Sequence, residues 1–136
     1  MESVMYFIFF AGILLLAVDD ARRQSVPAAI SDTWTIALAL CSLFSNRGNF
    51  LVGICFLVAG SLFAYCTGGM GSADVLVLAA SAWTFGGLLT LFALLLACLS
   101  GISYGLCTRT KRLAFIPHLL VGTLLALFLN LVLPLA

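Results

Sequence analysis

An all-α, polytopic membrane helix bundle is predicted, with about six transmembrane helices, one of them short enough to be re-entrant. Three features predict it. The 136-residue chain is 64% hydrophobic and only 8% charged, whereas soluble domains carry about 25% charged residues. Mean hydropathy is +1.26, which calls for lipid as the solvent. The apolar residues also fall into runs close to the ~20 helical residues that cross a hydrocarbon core, separated by short polar or glycine-rich breaks. Residues 1–136 are read as one integral membrane domain, with no room for a separate soluble one. A net charge of +1 offers no basic field for nucleic acid.

The first run, roughly 3–18, ends at the charged "DDARR". It has the apolar texture of a signal peptide but no basic residue ahead of it, so it is read as a retained span. The second, 28–45, starts after Pro27 and stops at "NRGN" (46–49). Asp32, near its start, is expected to cap the helix or favour its dipole. The third, 50–66, stops at the glycines 68, 69 and 71. The block 74–107 is too long for one span, and Gly86-Gly87 is the expected turn within it. Its first half, about 20 Å long at 1.5 Å per residue, is the candidate re-entrant or cavity-lining helix. The last run, 113–135, follows "TRTKR" (108–112).

With six spans, Arg22, Arg23, Arg109, Lys111 and Arg112 share one side and Arg47 takes the other. The positive-inside rule makes the richer side cytoplasmic and turns both termini outward. The same parity puts Asp20 and Asp74, separated by two spans, on the cytoplasmic face. The five cysteines, Cys41, Cys55, Cys66, Cys98 and Cys107, show no C-x-x-C pairing. They are read as small apolar packing residues, not a disulfide or zinc framework. His118 is the only histidine, and packing is its expected role. No metal and no cofactor is expected.

Carboxylates at membrane depth are costly and tend to mark function. Asp74 follows a glycine-rich loop, "TGGMGSAD", and could simply cap the next helix. The pair is more informative. Two carboxylates brought close cannot both ionise cheaply and come to share a proton. One can then take a proton from water while the other donates to a carbonyl oxygen. The same pair could instead carry protons in a transporter. Gly68, Gly69 and Gly71 would let backbone bend and approach an extended peptide, or merely make a tight turn.

Four segments carry a resemblance. "DARRQSVP" (20–27), "GMGSAD" (69–74), "AASAW" (79–83) and "LAFIPHLLVG" (113–122) resemble, in order, segments of the type IV prepilin peptidases, membrane aspartyl proteases of the G-x-G-D type. The resemblance spans roughly residues 10–125. It implies Asp20 and Asp74 as the catalytic pair, with Asp20 chosen over Asp19 because it lies seven residues before Pro27. It implies Gly69, Gly71 and Ala73 as residues beside the substrate. Ala73 stands where the family has glycine, Leu76 where it has lysine and Ala28 where it has asparagine. The paired C-x-x-C motifs of the long, bifunctional members are absent from this sequence, so the likeness is to the short, peptidase-only form. The implied activity is an aspartic endopeptidase of the inner, cytoplasmic membrane that removes the basic leader of prepilin or pseudopilin-like proteins. The alternatives are an inactive relative that binds pilin-like helices, and a proton-linked small transporter. Oligomeric state is not legible in the sequence.

Overall fold

The computed structural model describes residues 2–23, 25–109 and 113–134. Among these residues are six helices: α1 (Glu2–Arg23), α2 (Ala28–Ser45), α3 (Arg47–Thr67), α4 (Ser72–Phe85), α5 (Gly87–Thr108) and α6 (Phe115–Val132). All except α4 are long and apolar enough to cross a membrane. The expected division at Gly86-Gly87 is present. Gly86 has φ 86° and alone connects α4 to α5, a conformation that a side chain would strain. Asn46 likewise is the sole connection from α2 to α3, and its side chain accepts the Gly48 and Asn49 N–H groups.

α4 is the central helix. Val75 and the whole stretch Val77–Thr84 are buried, and the other five helices all pack against it. It runs through the bundle rather than turning back. Its start meets the end of α3, where Gly60 faces Val75. Its end meets the starts of α1 and α3: Phe85 stacks on Tyr6 at 5.5 Å, and the Trp83 indole N–H donates to the Phe50 carbonyl at 3.0 Å. Small side chains make this possible, because without a hydrophobic drive between helices in lipid, association depends on close packing. "AASA" in α4 and Gly122 in α6, which lies against Ala93 and Ala97 of α5, let backbones approach.

Two tryptophans repeat one device. Trp34 lies over Gly12 and donates to the Ile8 carbonyl at 2.9 Å, as Trp83 lies over Gly53 and reaches Phe50. A buried indole needs a partner for its N–H, and a glycine gives it room to lie flat on the neighbouring helix. Buried hydroxyls close on their own helices: Thr35 on Ser31, Ser81 on Val77, Thr84 on Ala80 and Thr123 on Leu119, the usual way such groups are satisfied where water is absent. The outward faces carry Phe7, Leu15, Phe44, Leu106 and Leu131, all more than half exposed. A surface of this kind is stable against acyl chains and not against water. The molecule is a multi-pass membrane protein.

Two expectations need correction, and a third is decided between its alternatives. Asp32 caps nothing: Pro27 holds the N-cap position of α2 without a side-chain bond, and Asp32 lies beyond the first turn, exposed. The cysteines are not mainly packing residues: Cys41 is half-buried, and the other four are exposed because their helix positions face outward or into a cavity. Of the two alternatives for the first half of the 74–107 block, the cavity-lining helix holds: Asp74 and Leu78 line a cavity, and its far end is held among the starts of α1 and α3. His118 does pack between helices, bonded to Ser100 at 3.1 Å and set against the Tyr104 ring.

Candidate active site

Asp20 lies in the last turn of α1. The helix dipole there disfavours an anion, since the C-terminal end carries partial negative charge. The side chain nonetheless points inward and is only 9% exposed, whereas Asp19 is half-buried and does not line the cavity described below. The compensation comes from α6. Ala114, at the N-cap position of α6, has no side chain able to cap it, and the Ile116 N–H, in the first turn, donates to Asp20 Oδ2 at 3.2 Å.

Asp74 lies in the first turn of α4, where the dipole favours it. Its Oδ2 accepts the Gly71 N–H at 3.2 Å. Asp74 is therefore not the N-cap residue, which is Gly71; from the third helical position it ties the N-cap N–H with one oxygen. Gly71 has φ −74°, so its conformation is ordinary; what its lack of a side chain preserves is space, because a Cβ there would stand 3.3 Å from Asp74 Oδ2. Gly68 is the residue that needs glycine for its backbone: it closes α3 in the left-handed region at φ 62°.

The two carboxylates line one cavity of about 890 Å³. This volume is within the range of ligand sites, about 300–1,000 Å³. Its polar mouth holds Asp20, Asp74 and Gly69; its walls are apolar, with Phe56 and Phe63 from α3, Leu78 from α4, and Leu94 and Cys98 from α5. Phe115, at the start of α6, also lines it.

The other expected site residues divide. Gly69 lines the cavity. Gly71 does not, but holds Asp74 through its N–H. Ala73 does not line it either; its methyl packs against the core. Arg22, Arg23 and Arg109 are exposed at the ends of α1 and α5 beside the mouth, while Lys111 and Arg112 lie outside the described residues. Among the described residues, no three His, Cys, Asp or Glu side chains are grouped to hold a metal ion. Sequence reasoning missed the Ile116 amide, which no pattern of side chains could disclose. It also missed the wall residues, although Phe56 and Phe63, or Leu94 and Cys98, share a helix face by spacing alone. Comparison with protein families, curated proteins and solved structures finds no match to this chain.

Proposed function

We propose that the protein is a membrane-embedded aspartic endopeptidase that cleaves the basic leader of prepilin-like substrates beside the cytoplasmic face of the inner membrane. The observation that carries this reading is the meeting of Asp20 and Asp74, 54 positions apart in the chain, at the mouth of one apolar cavity. The sequence resemblance names the same two residues. Arg22, Arg23 and Arg109 at that end favour a cytoplasmic mouth by the positive-inside rule.

In this mechanism the pair shares one proton. The ionised member takes a proton from water as its oxygen attacks the scissile carbonyl carbon. The protonated member donates to the carbonyl oxygen. Collapse of the tetrahedral species breaks the C–N bond, and the leaving amine takes a proton back from the pair. No covalent intermediate forms. An extended peptide is required, because helical carbonyls are already hydrogen-bonded; the apolar wall receives the hydrophobic residues beyond the scissile bond.

The test is cleavage of a synthetic peptide, with a basic leader, a glycine and an apolar helix, by protein in micelles, read by mass spectrometry. Asp20→Asn and Asp74→Asn should each lower the rate at least ~100-fold, the lower end of what a positioned acid or base supplies, while Asp19→Asn stays within a few-fold. Cleavage surviving in both of the first two variants would sink the reading. Proton-coupled flux in vesicles, without cleavage, would replace it with the transporter.

A further inference from the structure

We infer that the backbone N–H of Ile116 is a positioning group for Asp20: the first turn of α6 aims that carboxylate into the cavity. This deepens the proposed peptidase reading and, for its catalytic part, rests on it.

Three observations carry the inference. The Ile116 N–H is an orphan donor of a helix first turn, with Ala114 unable to cap it and Pro117 supplying no N–H of its own. The contact to Asp20 Oδ2 is buried, at 3.2 Å, and bridges residues 96 positions apart. Finally, Asp20 has no favourable local partner: it ends its own helix on the wrong side of the dipole, and the positive end of α6 reverses that. Since α6 also contributes Phe115 to the cavity lining, one short turn sets both the carboxylate and the wall it works against. Asp74 is held from its own loop, so the two carboxylates are aimed by different elements, and the docking of α6 on α1 fixes their relation.

The test compares Ile116→Pro, which removes the N–H at a first-turn position where proline is tolerated, with Ile116→Ala, which keeps the N–H and loses most of the same side chain. Two readouts are used on full-length protein in micelles. The first does not need activity: with 15N-isoleucine labelling, the Ile116 amide proton should move upfield in Asp20→Ala, while the amides of Ile36 and Ile54, on α2 and α3, stay in place. An unmoved Ile116 resonance overturns the tie. The second is steady-state cleavage. Ile116→Pro should lose at least ~10-fold in kcat relative to Ile116→Ala with KM within two-fold, because misplacing a reacting group acts on the chemical step. Equal kcat in the two variants overturns the positioning role even if the tie is present. A native protein that cleaves nothing overturns the peptidase reading and the positioning role together, while the resonance still decides the tie. Because Ile116 is fully buried, helical content by circular dichroism accompanies both variants. If Ile116→Pro does not fold, the Asp20→Ala resonance and the activity of Asp20→Glu decide in its place: a side chain one methylene longer, displaced from the amide, should fall at least ~10-fold in kcat, and full activity there overturns positioning.

Discussion

Asp74 both ties the N-cap N–H of its helix and is half of the cavity's carboxylate pair, and the two duties are compatible because the tie occupies one oxygen. Gly71 gives a residue-scale prediction. Alanine would place a methyl 3.3 Å from Asp74 Oδ2 and force a shift of a few tenths of an ångström. Given ~100-fold for a 1 Å displacement, Gly71→Ala should slow cleavage by about 3- to 10-fold in the peptide assay. Gly69→Ala, whose new methyl meets only Thr67 Oγ1 at 3.9 Å, should fall less.

Helix pairing depends on glycines at close contacts, and at Gly122 the atoms it faces are backbone. At Gly122 a Cβ would collide with the Ala93 carbonyl oxygen and lie 2.9 Å from the Ala97 nitrogen. Neither atom can rotate away, so α5 and α6 must separate. Gly122→Val should destabilise the bundle by about 1–3 kcal/mol or more, the usual cost of overpacking, measured by unfolding in mixed micelles. Gly101→Ala, whose methyl would meet the His118 ring at 3.9 Å, should lie near native. If Gly122→Val matched it, the two helices would not pack as closely as described. α4 shows a complementary solution: too short to cover the hydrocarbon core, at about 21 Å for its 14 residues, it is covered by the five longer helices and needs no lipid-facing surface.

At the scale of the whole molecule, the two ends of the bundle are unequal. One has single-residue connections at Asn46 and Gly86; the other has the longer segments 24–27, 68–71 and 109–114. The cavity mouth and the exposed Arg22, Arg23 and Arg109 lie at the second. The expected orientation places this end in the cytoplasm. In a cysteine-free background, single cysteines at Ser25 and Ser72 should react with a membrane-impermeant maleimide only from the cytoplasmic side, and one at Asn46 only from outside. Labelling of Ser72 from outside would invert the orientation and remove access for a cytoplasmic leader.

The sequence by itself determined the membrane class, the number of helices and their breaks, because composition, run length and the glycines at 68 and 86 act locally. It also determined, by counting spans, that Asp20 and Asp74 lie at the same end, since parity needs no distances. Only the tertiary structure decided which neighbours those carboxylates have. Asp20 rather than Asp19 turns inward because one residue of helix rotation, about 100°, separates them, and the packing of α6 on α1 chooses between them. Ala73 faces the core for the same rotational reason, whereas Gly71 meets the Asp74 carboxylate through the extended backbone that leads into α4. The Ile116 amide is a backbone group carried by every non-proline residue, so its partnership with Asp20 exists only once the two helix ends, 96 residues apart, have docked.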